Sequence, residues 1–409
     1  MLSAAASLYK NAFTGLSKNT WYLSIVMLVN RSGTMVIPFM TMYCTQKMHF
    51  SLPQAGVVMS LFGGGAIAGA YIGGRITDKF GFYSQQVASL LLGGIMFIVT
   101  GFLQTYLSLC IGTFILSFCN ESFRPANAAA IAYYSKPENT TRSYSLNRLA
   151  INLGWAVGGA IGGLLASINY HLLFWVDGCT NIIAGVLLFK LLPYANSRAS
   201  VIKNKPLIKQ HAYTDKFYVV FIIITFFFAA CFFQMFTIQP VFYKTQWHYN
   251  EAFIGFLMAL NGIIIVLSEM ILIYSIEAKR ANTFFIRIGF FISAISFACL
   301  NILPASPFTA VASITFITIG EMLSMPFMNS FWIQRSASHN RGEYAALYAM
   351  SWSLAQIAAP LSGSRIATAY SFTTLWWVLS CVCIFASISI LLLEQKIKSS
   401  ENATAFISA

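Results

Sequence analysis

The sequence contains very few charged residues. Only 9% of its 409 residues are Asp, Glu, Lys or Arg, whereas 57% are hydrophobic. Because soluble domains carry about 25% charged residues, this chain has too little polar surface to face water on all sides. The composition excludes an ordinary soluble protein and predicts one whose solvent is the lipid bilayer.

Motifs of enzymatic chemistry are also missing. The sequence has no His-Glu-x-x-His, no nucleophile elbow, no paired aspartates and no glycine-rich loop that could hold a phosphate. Its eight cysteines lie mostly in apolar segments, without the spacing of metal ligands. We therefore expect no enzyme activity, no metal site, no cofactor and no use of ATP.

The net charge of +13 does not indicate a nucleic-acid partner, because Lys and Arg form no single basic patch. They are concentrated in alternate short loops, and the loops between hold only Lys47 and Lys244. Since basic loops remain in the cytoplasm, we expect both termini on the cytoplasmic side of the cell's inner (plasma) membrane.

Twelve apolar segments are each long enough to cross a bilayer as a helix, which takes about 17–25 residues. None alternates apolar and polar residues as a transmembrane strand does. We number them spans 1 to 12. They cover residues 20–44, 54–74, 84–103, 107–134, 143–167, 171–193, 217–243, 252–275, 283–303, 307–333, 343–368 and 371–394.

The chain repeats itself at an offset of 199 residues, where segment 49–61 aligns with segment 248–260. We predict an N-terminal bundle at residues 1–194, a basic cytoplasmic linker at 195–216 and a C-terminal bundle at 217–409. The predicted fold class is an all-α integral membrane protein with twelve transmembrane helices in two pseudo-symmetric six-helix bundles. Such repeats place a binding site between the halves, near the middle of the membrane.

The loop between spans 2 and 3 carries a recognisable pattern. It contains Gly74, Asp78, Lys79 and Gly81 in the order Gly-x-x-x-Asp-Lys-x-Gly. This pattern resembles the loop signature of the major facilitator superfamily, although Phe82-Tyr83 replaces the basic pair that usually follows. The twelve spans, the repeat and the basic central loop are similar to the same family. The resemblance implies a monomeric secondary transporter that works by alternating access.

The resemblance also implies a role for this loop as a cytoplasmic gate. Asp78 is expected to meet the N-terminus of span 11 near Glu343, where a helix end favours a negative charge. Because two acids would then lie close together, we expect Arg75, Lys79 or Arg341 to offset them.

A second pattern occupies span 5, where Gly154, Gly158, Gly162 and Gly163 resemble an antiporter motif of the same family. Gly159 stands where that motif has proline. One interpretation is that small residues let two membrane helices pack closely. The other is that span 5 marks a proton-driven exporter, which agrees with a broader resemblance to the drug-efflux branch.

Charged side chains at membrane depth are expensive and mark pathways or binding sites. The resemblance places spans 1, 4, 7 and 10 around a central cavity, and the buried charges lie on three of them. The candidate substrate or proton site therefore consists of Arg31 and Asn30 on span 1, Glu121 and Arg124 on span 4, Gln234 on span 7, and Glu321 on span 10.

We expect Glu121 or Glu321 to bind the proton and Arg31 or Arg124 to bind an anionic group of the substrate. A static ion-pair network is the alternative. This charge arrangement resembles that of proton-coupled peptide transporters, although their Glu-x-x-Glu-Arg motif is absent. The predicted function is proton-coupled export of a drug or metabolite. The alternative is proton-coupled import of a zwitterion such as a peptide or amino acid, and the expected partners are that solute, protons and the bilayer.

Asp177 is a further acidic residue within an apolar segment. Asp177 falls near the predicted outer end of span 6. We expect its carboxylate to lie within reach of water, because a charged group at a helix end needs no buried partner.

Overall fold

The computed structural model describes residues 15–135, 140–194, 211–276, 279–336 and 341–408. These residues are almost entirely helical, and they include no β-strand. All twelve predicted spans are helices. Eleven of them are long and apolar enough to cross a membrane, and the exception among the described residues is span 11.

The spans have the following bounds. Span 1 comprises Lys18–Ser32 and Val36–Met42 and continues as the π-helical turn Tyr43–Lys47; span 2 is Leu52–Phe80, span 3 Phe82–Gly101, span 4 Tyr106–Glu121 with Phe123–Tyr134, span 5 Thr140–Ile168, span 6 His171–Leu191, span 7 Lys216–Thr237 with Gln239–Thr245, span 8 Glu251–Ile276, span 9 Asn282–Ile302, span 10 Pro307–Arg335, span 11 Arg341–Ala369 and span 12 Phe372–Ser408. Spans 2 and 12 extend furthest beyond the prediction, because both helices continue through polar residues past their apolar segments.

The described chain divides into two compact units. The first includes the described parts of Met1–Phe50, Leu61–Ile202 and Asn250–Val266, and the second takes the rest. Each unit therefore contains parts of spans 2 and 8. Most of the predicted linker, residues 195–210, lies outside the described residues. The predicted bundle boundaries at residues 194 and 217 remain a prediction.

The first unit is built around spans 1, 3, 4, 5 and 6. Span 3 packs along spans 4 and 6, and span 1 packs along spans 5 and 6. Buried apolar side chains of these spans form the core, among them Leu23, Val26, Met27, Phe82, Leu90, Phe123, Ala126, Ala130, Ala184 and Leu188. This core holds spans 1 and 4 in contact and thereby fixes the positions of their charged residues.

In the second unit, span 9 packs along spans 10 and 12, and span 7 packs along spans 11 and 12. Aromatic rings fill these contacts. Phe228 stacks on Phe290 with ring centroids 4.0 Å apart, and Phe297 stacks on the fully buried Trp376 at 6.1 Å. Large rings bury more apolar area than aliphatic side chains and give the unit a rigid interior.

The sequence repeat is visible in the backbone. His49 and His248 are the two described residues other than glycine with positive φ, at 57° and 56°. The amide of Phe50 donates to the carbonyl of Cys44 at 2.9 Å, and the amide of Tyr249 donates to that of Tyr243 at 3.0 Å. Equivalent residues thus end spans 1 and 7 with the same left-handed turn.

Glycines of span 5 pack closely against the first part of span 8, within the first unit. A Cβ atom at Gly163 would lie 2.6 Å from the Cα of Gly255 and 2.6 Å from the carbonyl oxygen of Glu251. A Cβ atom at Gly159 would lie 3.0 Å from that of Met258. The backbones of spans 5 and 8 therefore approach to a distance that only glycine permits.

We expect Gly163→Ala to lower the free energy of unfolding by ~1–3 kcal/mol, because the added methyl group must displace the backbone of span 8. The thermal midpoint of the purified protein in detergent measures this effect. Gly64→Ala on span 2 is the matched control, since its Cβ would lie 3.7 Å from the nearest atom of Phe114. A Gly163→Ala midpoint equal to that of the control would contradict the close contact.

Candidate functional site

A proline breaks span 4 beside its charged residues. The first helix ends at Glu121, and the second begins at Phe123. Pro125 has no amide hydrogen to donate to the carbonyl of Glu121, four residues earlier, and its ring clashes with a continuous helix there. The break therefore places the acidic residue at the end of one helix and Arg124 in the first turn of the next.

The ion pair predicted on span 4 is present. Arg124 Nε lies 3.5 Å from Glu121 Oε2, and the side chains are 65% and 9% exposed, respectively. Asn120 Nδ2 donates to Glu121 Oε1 at 3.3 Å. The guanidinium is thus mostly exposed, whereas the carboxylate lies in a buried environment.

Arg31 forms the other side of this charged group. It lies in the last turn of the first helix of span 1, is 9% exposed, and interacts electrostatically with both Glu121 and Arg124. Its Nε has no hydrogen-bond partner among the described residues. Two guanidinium groups and one carboxylate thus converge in the first unit, where their sum is one positive charge. This arrangement is suited to binding an anionic group.

Gly154 of the span 5 motif makes room for Arg31. A Cβ atom at position 154 would lie 2.5 Å from the Cβ of Arg31. Gly158 and Gly162 continue the same helix face. A Cβ atom at Gly158 would lie 3.2 Å from the carbonyl oxygen of Thr34, and one at Gly162 would lie 3.1 Å from the Cβ of Met35. The motif therefore serves close packing on two faces of span 5. Its role in antiport stays a prediction.

Span 1 is also broken, and the residue that binds the free amides after the break was not predicted to be there. Asp177 of span 6 is fully buried and accepts hydrogen bonds from the amides of Met35, at 3.0 and 3.1 Å, and Val36, at 2.8 Å. The expectation that Asp177 lies within reach of water is therefore wrong. Two features of the sequence could have indicated this contact: a single carboxylate within the apolar span 6, and a glycine and a proline, Gly33 and Pro38, that can interrupt the helix of span 1.

A second contact between spans 6 and 1 lies on the other side of the break. Asn30 Nδ2 donates to Asn181 Oδ1 at 2.8 Å, and Asn181 Nδ2 donates to the carbonyl of Asp177 at 2.8 Å. Both asparagine side chains are buried. Asn30, a predicted site residue, is therefore engaged in holding span 1 against span 6.

The predicted residues of the second unit have different surroundings. Gln234 is buried between spans 7 and 11, where its Nε2 donates to the carbonyl of Ala359 at 2.7 Å. A Cβ atom at Gly363 would lie 2.2 Å from Gln234 Oε1. Glu321 lies partly buried on span 10, which continues through Pro326 without a break. The structure thus places Gln234 in a packing contact.

An aromatic cluster in the second unit was not identified from the sequence as a candidate. The Trp352 ring contacts those of Phe232 and Phe233 at 6.0 and 5.9 Å, and Tyr348 joins it at 6.3 Å. Tyr344, Tyr348 and Trp352 follow one another at intervals of four residues, which is the signal for a shared helix face. No group of three or more His, Cys, Asp and Glu side chains in the described chain could hold a metal ion.

Comparison with known proteins identifies the family. The sequence model of the Major Facilitator Superfamily matches residues 23–360. The chain belongs to this family. Members of the major facilitator superfamily (MFS) are transporters and not enzymes, and this chain is accordingly a multi-pass membrane protein that carries out secondary transport.

Two bacterial relatives match most of the chain. The uncharacterized MFS-type transporter YttB of Bacillus subtilis (strain 168) is 25% identical over 400 residues, which cover 95% of this chain and 98% of that protein. A Na(+), Li(+), K(+)/H(+) antiporter of Planococcus maritimus is 23% identical over 374 residues, which cover 82% of this chain and 86% of the antiporter.

A solved structure shows the same fold. A POT family transporter in complex with 5-aminolevulinic acid matches with a TM-score of 0.77, covering 94% of this chain and 98% of that chain. Since the two sequences are only 14% identical, the likeness concerns the fold alone. It confirms the predicted fold class of twelve transmembrane helices in two pseudo-symmetric bundles.

The MFS loop signature lies at the turn between spans 2 and 3. Gly81 adopts a φ of 88°, which glycine tolerates without strain. Asp78 is exposed, while Arg75 donates to the hydroxyl of Tyr71 and Lys79 lies over the ring of Phe80. The expected neutralisation of Asp78 by its basic neighbours is therefore not seen among the described contacts, and its gate role remains a prediction.

Glu343, the other acid of the expected gate, is held by the segment before span 7. Its carboxylate contacts His211 Nδ1 at 3.1 Å and accepts the amide of Ala212 at 3.1 Å. The expected partners of this acid, Arg75, Lys79 and Arg341, did not include these two. His211 and Ala212 lie 132 and 131 residues away in sequence, so no local pattern indicates them. The side chain of Arg341 lies outside the described residues.

Beside Glu343, Asp215 joins three spans of the second unit. It caps span 7 by accepting the Tyr218 amide at 3.1 Å, and it accepts from Arg335 Nε and Nη2 at 2.5 and 2.8 Å and from the Tyr344 hydroxyl at 2.9 Å. Burial by itself raises the pKa of Asp215, but the hydrogen bonds from Arg335, Tyr344 and Tyr218 outweigh it and hold the pKa below its usual value.

We expect the Asp215 contacts to make the folded state sensitive to acid. The ionised carboxylate stabilises the protein above the unfolded pKa of about 3.9, and this contribution is lost as the pH falls through the lower folded-state pKa. The thermal midpoint of the wild type should therefore decrease more between neutral pH and strong acid than that of Asp215→Asn. Arg335→Gln and the double variant are the controls, since both partners belong to one contact and their effects should not add. Equal acid sensitivity in wild type and Asp215→Asn would refute this role.

Proposed function

We propose that this MFS transporter exports a small organic solute carrying an anionic group in exchange for protons. The observation that carries the proposal is the convergence of Arg31, Arg124 and Glu121 in the first unit, where the Nε of Arg31 has no hydrogen-bond partner within the described part of the chain. Isolated charges are seldom kept at membrane depth unless they bind a ligand or an ion. The guanidinium groups offer planar donors for a carboxylate or a similar anion.

Within this proposal, Glu121 is the first candidate for the proton site and Glu321 is the second. The Glu121 side chain is 9% exposed and its ion-pair partner Arg124 is 65% exposed. Because the Arg124 side chain is mostly exposed, protonation of Glu121 does not leave a buried cation at this position.

The antiport mode is supported by the similarity to the Planococcus maritimus antiporter and by the span 5 glycine motif. The second candidate function is proton-coupled import of a zwitterion. It is favoured by the presence of both charge signs in one group, since two arginines and a glutamate can hold the two ends of an amino acid or peptide. The POT family structure with 5-aminolevulinic acid provides a probe of that chemistry.

Other features belong to the same proposal. The transporter acts as a monomer in the plasma membrane, with both termini in the cytoplasm, and Gly74, Asp78, Lys79 and Gly81 gate the cytoplasmic side. Alternating access exposes the site to each side of the membrane in turn.

Transport in proteoliposomes tests the direction of coupling. We expect vesicles with an acidic interior to accumulate a labelled anion or zwitterion, because protons leaving the lumen drive the solute inward by exchange. The probes are 4-hydroxybenzoate as an anion, 5-aminolevulinic acid as a zwitterion and ethidium as a cation. Accumulation only with an acidic exterior would establish symport and overturn the exporter proposal. Accumulation of ethidium alone would overturn the anion site.

Neutral substitutions test the proton site. We expect Glu121→Gln or Glu321→Gln to reduce gradient-driven accumulation by at least about tenfold, which corresponds to ~1.4 kcal/mol, while solute exchange without a gradient persists. Glu394→Gln is the matched control, since Glu394 pairs with Lys398 on span 12 at 2.6 Å and lies outside the proposed site. Undiminished gradient-driven accumulation in both site variants would rule out these carboxylates.

A further inference from the structure

Span 1 is interrupted immediately after Arg31, and the interruption involves the backbone of Arg31 itself. In a continuous helix the amide of Met35 would donate to the carbonyl of Arg31, four residues earlier. Here the carbonyl of Arg31 accepts the amide of Thr34 at 3.0 Å. The amides of Met35 and Val36 are turned to the carboxylate of Asp177 instead.

We propose that Asp177 is a positioning residue for Arg31: by binding the two amides after the break, it sets the direction in which the guanidinium enters the site. This inference rests on the proposed function, in which Arg31 binds the anionic group of the substrate. Asp177 itself contacts neither the solute nor the proton site, and it acts through the backbone of span 1.

Neighbouring helices confine Arg31 once the break is formed. The carbonyl oxygens of Arg31 and Ser32 lie 3.4 and 3.3 Å from the virtual Cβ of Gly158. On the opposite side, the Asn30–Asn181 hydrogen bond of 2.8 Å ties the preceding residue to span 6. The Arg31 side chain therefore has little freedom to compensate for a change in the local backbone.

The second unit shows that a broken span does not in itself require a buried carboxylate. Span 7 is interrupted at Ile238, and Pro240 occupies the first turn of its second helix. Because proline has no amide hydrogen, one donor that would need a partner is absent. The residue 199 positions after Asp177 is Trp376, which is fully buried among aromatic rings. The carboxylate that caps a broken span, Asp177, is therefore found in the unit that carries Arg31, and its counterpart in the second unit is an aromatic residue.

A buried carboxylate is expensive in an apolar environment unless several donors satisfy it. Asp177 accepts hydrogen bonds from the backbone amides of Met35 and Val36 at the start of a helix, where the helix dipole also favours a negative charge. Asparagine can replace only one accepting oxygen at this position, and alanine can replace none. This difference gives a graded series of variants.

The experiment combines backbone exchange with a double-mutant cycle on the full-length transporter. Hydrogen–deuterium exchange of the peptide spanning residues 30–40 should increase at least about tenfold in Asp177→Ala and less in Asp177→Asn. Binding of labelled 4-hydroxybenzoate and 5-aminolevulinic acid should weaken about tenfold in Asp177→Ala, with partial recovery in Asp177→Asn. The maximal transport rate should change less than the affinity.

The decisive result is the cycle with Arg31→Ala. If Asp177 acts through Arg31, the Asp177→Ala substitution should cause no further loss of affinity once Arg31 is removed. Ser17→Ala is the control, since Ser17 caps the same span at its other end by accepting the Thr20 amide at 3.1 Å. It should leave affinity unchanged in both backgrounds.

Each failure has its own signature. Unchanged exchange in Asp177→Ala, or equal losses of affinity with and without Arg31, would overturn the positioning role while leaving the proposed function in place. If the wild type binds neither probe, or Arg31→Ala binds as well as wild type, the proposed anion site fails and the positioning role falls with it.

Discussion

Backbone hydrogen bonding in an apolar environment is the constraint on which this structure depends. A helix inside the bilayer satisfies its own amides and carbonyls, but every interruption leaves groups that must find partners within the protein. The three broken spans meet this requirement differently. Span 4 breaks where Pro125 cannot donate, span 7 begins its second helix with Pro240, and span 1 uses the carboxylate of Asp177. The charged residues lie at two of these breaks, because a break lets a side chain point where a continuous helix would not.

The two units have a common backbone pattern but different side-chain chemistry. The first unit places Arg31, Glu121 and Arg124 together, whereas the second has an aromatic cluster around Trp352 and a buried Gln234 engaged with span 11. The buried charged residues of the candidate site and the aromatic cluster around Trp352 thus belong to different units of the described chain.

The sequence predicts the elements of this fold well because apolar length is a direct requirement of the bilayer. It also identifies the Glu121–Arg124 contact, since residues three apart are neighbours on a helix and Ser122, at the break, keeps a near-helical backbone with φ −64° and ψ −15°. It does not reveal that Asp177 binds the amides of Met35 and Val36, or that Glu343 binds His211. Those partners are more than 130 residues apart, and only the packing of the spans brings them together. Gln234, also predicted as a site residue, donates to the carbonyl of Ala359, and its role in a site stays a prediction.

The paired histidines at the ends of spans 1 and 7 bear on the history of the chain. A left-handed backbone costs about 1–2 kcal/mol for residues with a side chain, yet His49 and His248 both adopt it. The same histidine could have arisen twice, independently, at the same costly position. A simpler account is that one gene for six helices already encoded this histidine and was then duplicated. On this history the turn is ancestral, whereas Arg31 and its acidic cap distinguish one descendant half from the other.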